Sequence, residues 1–166
     1  GRMSERIGIV GMGLMGQAFI KHLRNAQFMV QGFDVDPRRM DQLAEAGGHP
    51  AETPAAAKDV KCVIVSVPTN DISREIIFGP NGIAEGASEG TYICDTTTAR
   101  PEDSERTHAE LKERGIHYLD SAVSGTSTMA EAGGPRRHRR RRAGRFRRLP
   151  RISRRLLAGC LLHGPG

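Results

Sequence analysis

The chain has 166 residues, 37% apolar and only 4% aromatic, enough for one domain and its core but not for two. Its formal charge of +6 averages two unlike parts: residues 1–134 carry 13 Lys+Arg against 19 Asp+Glu, a net −6, and residues 135–166 carry 12 Arg and no acid, a net +12. No apolar run approaches the roughly 20 residues that cross a bilayer, no signal peptide stands at the N-terminus, and Cys62, Cys94 and Cys160 lack CxxC spacing, so we expect a cytoplasmic chain with buried reduced thiols and no metal or membrane partner.

Gly1 and Arg2 precede the first Met and are set aside as upstream residues. Residues 6–11 (RIGIVG) form a short apolar run that breaks on glycine, as a buried strand should. Residues 14–25 place Leu14, Ala18, Ile20 and Leu23 near helical spacing, and residues 28–34 (FMVQGFD) read as a second strand. Asp36-Pro37 then supplies a helix N-cap with Pro at the first helical position, and Gly47 closes that helix. Thr53-Pro54 opens a short alanine-rich helix, and 61–67 (KCVIVSV) is the clearest strand, apolar and β-branched.

Residues 71–78 look helical and 79–82 form a turn; 91–95 (TYICD) is a further strand. Pro101 opens a helix with Glu102 and Asp103 near its positive dipole end, Gly115 closes it, and 116–120 is the last short strand. Strands alternating with helices, without internal repeat, predict an α/β domain with a doubly wound parallel sheet.

Gly11-Met12-Gly13-Leu14-Met15-Gly16 is a GxGxxG motif lying between a predicted strand and helix, the context that dinucleotide binding requires. The first glycine permits the turn, the second lets backbone N–H groups approach a pyrophosphate, and the third lets the helix pack close to the sheet. Asp34, 18 residues after Gly16, ends the second strand where an acid would grip an adenosine ribose. A carboxylate there accepts from a free 2′-hydroxyl and repels a 2′-phosphate, which favours NAD over NADP, although Arg38 and Arg39 stand nearby. The bland reading is a structural turn followed by an acid at a helix start.

Together these residues resemble the β-hydroxyacid dehydrogenases, which include 3-hydroxyisobutyrate and tartronate semialdehyde reductases. Residues 8–16 (GIVGMGLMG) are similar to that family's cofactor motif, and Val67-Pro68 to its apolar-Pro step against the cofactor. Asp95-Thr96-Thr97-Thr98-Ala99-Arg100-Pro101 is similar to its D-x-S/T-S/T-x-x-P segment, with Thr97 at the dinucleotide contact. Asp120-Ser121-Ala122-Val123-Ser124-Gly125 resembles D-A-P-V-S-G, the substrate loop, which implies that Ser124 and Gly125 bind the small hydroxy-acid substrate. Ala122 replaces a proline of that loop and Thr126 a glycine, which weakens the inheritance of substrate binding.

The resemblance implies a Rossmann-type NAD-binding domain over 3–134 and hydride transfer between NAD and the alcohol carbon of a 3-hydroxy acid, with a lysine as general acid/base. That lysine is expected beyond Gly166, on a C-terminal helical domain that is missing here and through which the family forms homo-oligomers. Lys21, Lys58, Lys61 and Lys112 all precede Ser124, so no catalytic residue is assigned and the chain alone is expected to be inactive. An imine reductase, of similar fold with a different proton donor, is a further reading.

Residues 135–166 admit three readings: a nucleic-acid-binding arm of little sequence choice, a disordered extension, or the product of a reading-frame shift. The last is favoured. Arginine codons of the form CGN, read one base later in GC-rich DNA, become codons for Gly, Ala, Val or Asp. With suitable third bases, residues 137–141 (RHRRR) become Gly-Ile-Val-Gly-Gly, similar to the apolar-Val-Gly-Gly step the family carries at this distance from its substrate loop.

Overall fold

The computed structural model of the protein describes residues 6–57 and 59–120, and for Leu14, Met15, Gly16, Phe19 and Ala57 the backbone alone. Ser124, Gly125 and the arginine-rich segment lie outside the described residues. Six parallel strands form one sheet: β1 (Arg6–Val10), β2 (Met29–Phe33), β3 (His49–Pro50), β4 (Cys62–Val65), β5 (Tyr92–Asp95) and β6 (His117–Asp120). Their order is β3-β2-β1-β4-β5-β6. The chain first winds outward from β1 to β3, then returns to β4 on the other side of β1. That reversal leaves a crevice at the carboxyl ends of β1 and β4, where ligands of doubly wound sheets bind.

The connecting helices are α1 (Leu14–Asn25), α2 (Pro37–Glu45), α3 (Asn70–Phe78), α4 (Ile83–Gly86) and α5 (Pro101–Lys112), with a 3-10 turn at Pro54–Ala57. They cover both faces, which is why β1, β4 and β5 read as continuous apolar runs. On one face Ile7, Ile9, Val30 and Ile64 pack with Ile20 and Leu23 of α1 and Leu43 of α2. On the other, Val10, Val63, Val65 and Ile93 pack with Ile77 of α3, Ile83 of α4 and Leu111 of α5. Ile7, Ile9, Leu43, Ile64, Ile77, Ile93 and Leu111 are wholly buried. Removing any of these side chains leaves a cavity, at a cost of about 2–5 kcal/mol for Ile or Leu to Ala.

Several boundaries differ from the sequence reading for local reasons. β1 stops at Val10 because Gly11 turns the chain at φ +88. β4 stops at Val65, since Ser66 still donates to Val10 O at 3.0 Å while Val67 N turns toward the Thr97 hydroxyl at 3.4 Å. The Thr53-Pro54 helix is a single 3-10 turn. Neither β3 nor α4 was expected: β3 is two exposed residues at the sheet edge, where proline is tolerated, and α4 is one turn. Cys62 and Cys94 are buried thiols, not joined in a disulfide, with Sγ atoms 3.5 Å apart, as expected of them. Among the described residues no helix is long and apolar enough to cross a membrane, and no cluster of three metal-ligating side chains occurs.

Candidate functional site

The glycine motif lies at the carboxyl end of β1, directly beside the crevice. Gly11 N donates to Phe33 O at 3.0 Å, which ties the turn to β2. A side chain at Gly11 would place Cβ 2.1 Å from Ser66 O, in addition to straining φ, so the backbone just past β4 demands this glycine. Gly13 is different. Its φ is −60, and a Cβ there would meet nothing closer than Arg39 Nη1 at 3.5 Å, an ordinary contact. The fold leaves that space open, and a phosphate group approaching the backbone would need it.

Gly13 is also the N-cap of α1, and no side chain caps it, whereas Asp36 caps α2 and Thr69 caps α3. Leu14, Met15 and Gly16 form the first turn of α1, so its uncapped amides and positive dipole end face the loop. Met12, placed by the sequence among the cofactor residues, buries its side chain completely in the core. Its backbone lines the loop, because the side chain turns inward at the strand end.

Asp34 lies just after β2 and bends back to the motif. One carboxylate oxygen accepts Met12 N at 2.6 Å, and the other accepts Asp36 N at 2.8 Å. A carboxylate has about four lone-pair positions, so acceptor capacity remains for a ribose hydroxyl. Arg39, from the first turn of α2, donates to Met12 O at 2.6 Å and lies 3.8 Å from the Asp36 carboxylate. Arg38 points into solvent with 89% of its side chain exposed. The Arg38 backbone N–H bonded to Asp36 holds that carboxyl below its ordinary value, against a smaller opposing effect of desolvation.

On the other side of the crevice Val67 is half-buried and Pro68 exposed. The Thr97 side chain is 2% exposed, its hydroxyl turned to Val67 N, so a ligand in the crevice meets chiefly backbone there. Thr97 N donates to Asp95 Oδ1 at 2.8 Å, and Thr96 bonds Val65 O through its amide at 2.8 Å and its hydroxyl at 2.9 Å. The structure thus brings Gly11, Gly13, Asp34, Val67, Pro68 and Thr97 to one edge of the sheet. Sequence reasoning assigned no structural contact to Arg39 and no role to Asp95. An acid closing an apolar strand ahead of three threonines was the available signal for Asp95, but its partners lie 22 and 23 residues away.

No lysine among the described residues stands at this edge. Lys61 precedes β4, Lys112 ends α5 at the opposite side of the sheet, and Lys21 is exposed along α1. The arrangement can bind and orient a dinucleotide; among the described residues it offers no lysine for proton transfer.

Comparison with known proteins gives the same picture. The family model described as the NAD binding domain of 6-phosphogluconate dehydrogenase matches residues 6–135. The 3-sulfolactaldehyde reductase of Escherichia coli is 32% identical over 128 residues, covering 76% of this chain and 43% of that protein. The L-threonate dehydrogenase of Cupriavidus necator is 33% identical over 132 residues, covering 79% of this chain and 44% of that protein. The chain therefore spans less than half the length of these relatives. Among solved structures, Mycobacterium tuberculosis 3-hydroxyisobutyrate dehydrogenase with L-serine superposes with a TM-score of 0.65 at 25% identity, covering 74% of this chain and 44% of that one.

Proposed function

The chain belongs to the β-hydroxyacid dehydrogenase family through its 6-phosphogluconate dehydrogenase-type NAD binding domain, and on that premise we propose that it is the cofactor-holding part of an NAD-dependent 3-hydroxy acid dehydrogenase. The observation that carries this is the joint geometry of Gly13, left open by the fold, and Asp34, bent over the same loop. The open backbone at Gly13 and the uncapped start of α1 receive the pyrophosphate. Asp34 accepts from the adenosine ribose and, being anionic, disfavours a 2′-phosphate, which supports NAD over NADP. The Val67-Pro68 and Thr97 segments bound the crevice on the far side and orient the nicotinamide half.

When bound, the nicotinamide supplies the hydride acceptor for oxidation of a secondary or primary alcohol carbon. The substrate is a small hydroxy acid, with Ser124 and Gly125 as its contacts by resemblance. Proton transfer needs a group from outside the described residues, and the 166-residue chain is inactive in turnover. Titration of the chain with NADH, followed by nucleotide fluorescence, tests the reading. Saturable binding is expected, at least about tenfold tighter than for NADPH, a difference near 1.4 kcal/mol. Equal or tighter NADPH binding would sink the NAD assignment, and steady oxidation of a 3-hydroxy acid above a Gly13→Ala control would sink the inactivity.

We also propose that residues 135–166 are a frame-shifted product and not a selected nucleic-acid-binding arm. The family match ends at residue 135, where the arginine-rich composition begins. The coding DNA decides this: a single-base insertion or deletion near codons 134–137 should restore the family pattern, and its absence would end the idea.

A further inference from the structure

Asp95 closes β5 with 1% of its surface exposed, paired in the sheet between Val65 of β4 and Asp120 of β6. A buried carboxyl group is costly unless donors meet its oxygens. Here Oδ2 accepts from Ser73 Oγ of α3 at 2.5 Å and from the Tyr118 hydroxyl of β6 at 2.7 Å, while Oδ1 accepts from Thr97 N at 2.8 Å. Ser73 is 1%, Thr97 2% and Tyr118 6% exposed, so the whole cluster is sealed from water. Burial pushes the Tyr118 phenol up, and the Asp95 carboxylate raises it further, which keeps the phenol a neutral donor.

Well-packed apolar side chains would hold α3 and β6 together at least as well as a buried polar cluster. The distinctive product of this cluster lies at Oδ1. Its bond to the Thr97 amide forms a turn of the Asp side chain onto the backbone two residues on. That turn points the Thr97 hydroxyl at Val67 N, and Thr96 fastens the same segment to Val65 O. We propose that Asp95 is a positioning residue for the bound dinucleotide: it sets the spacing between the Thr97 segment and Val67-Pro68, the two walls of the nicotinamide side of the crevice. Ser73 and Tyr118 hold the carboxylate but do not themselves shape those walls. This inference rests on the NAD-binding reading.

The test uses the full 166-residue chain and four variants, Asp95→Ala, Asp95→Ser, Ser73→Ala and Tyr118→Phe, with NADH affinity and thermal midpoint measured on each. Serine at 95 can still accept from the Thr97 amide through its own short turn but cannot reach Ser73 and Tyr118. The expected result is a separation of the two readouts. Asp95→Ala weakens NADH binding about tenfold or more, and amide exchange at Thr97 accelerates. Asp95→Ser, Ser73→Ala and Tyr118→Phe lower the midpoint yet bind NADH within about threefold of the parent. Should Asp95→Ala not fold, Asp95→Ser decides the matter: NADH binding kept within about threefold despite a midpoint lowered at least as far as in Ser73→Ala supports the positioning role, and binding lost along with the midpoint overturns it. Affinity that falls in step with midpoint across the variants, or an Asp95→Ala chain that binds like the parent, overturns the positioning role alone. A folded parent chain that binds no NADH overturns the NAD-binding reading together with it.

Discussion

On the β1–β2 side of the crevice, the loop is held by part-exposed groups: Asp34 on Met12 N and Asp36 N, and Arg39 on Met12 O. On the β4–β5 side, the corresponding turn is held by a cluster sealed among α3, β5 and β6. The first set can add or exchange partners as a ligand arrives, because water already competes for its lone pairs. The second cannot rearrange without opening the core, since an orphaned buried acceptor costs about 1–3 kcal/mol. One flank of the site therefore contacts by adapting, and the other by being fixed in advance. Gly11 joins them, wedged between the β1 turn and the Ser66 carbonyl.

The junction should be the most sensitive point. Gly11→Ala is expected to cost about 3 kcal/mol or more in stability, combining strained φ with a backbone clash, read from the urea midpoint; a loss below about 1 kcal/mol would show that the flanks are not locked there. Asp34→Ala should follow, weakening NADH binding about 10- to 100-fold, or about 1.4–2.7 kcal/mol, in a fluorescence titration. A sharper contrast comes from Gly13→Ala. Its stability should fall by only about 1 kcal/mol, the ordinary cost of alanine at an N-cap, while NADH binding is largely lost; intact binding would show that no phosphate approaches that backbone.

Arg39→Ala removes a bond of the adapting flank and should cost about 0.5 kcal/mol, seen in the same unfolding assay. The smallest effect is the pH-dependent one at Asp36. Its lowered carboxyl value contributes stability that is present above the ordinary 3.8 and lost as pH falls through the lower folded value. Asp36→Ala should thus be less stable than the parent near neutrality, with the gap in thermal midpoint closing in acid. A gap that persists unchanged in acid would remove the charge from the explanation and leave only the cap geometry.

Much of this was legible in the residues. The apolar runs of β1, β4 and β5, the capping residues of α2 and the glycine at each turn are local signals, and they located the elements within a few positions. The glycine motif with Asp34 was legible as a pair because each half has a chemical reason to need the other. β3 and α4 were not, being too short to carry a period. The double use of Asp34 and the latch made by Arg39 were hidden because their partners are backbone atoms of Met12, 22 and 27 residues away.

The sequence alone determined the class of fold, the edge of the sheet that carries the motif, and the break in charge at residue 134. These depend on periodicity, turn chemistry and composition, which are written into neighbouring residues. The tertiary structure decided which glycine the protein needs for itself and which it leaves open, and it decided that Asp95 belongs to the site's support. Both depend on distances between strands brought side by side, and no local pattern encodes those.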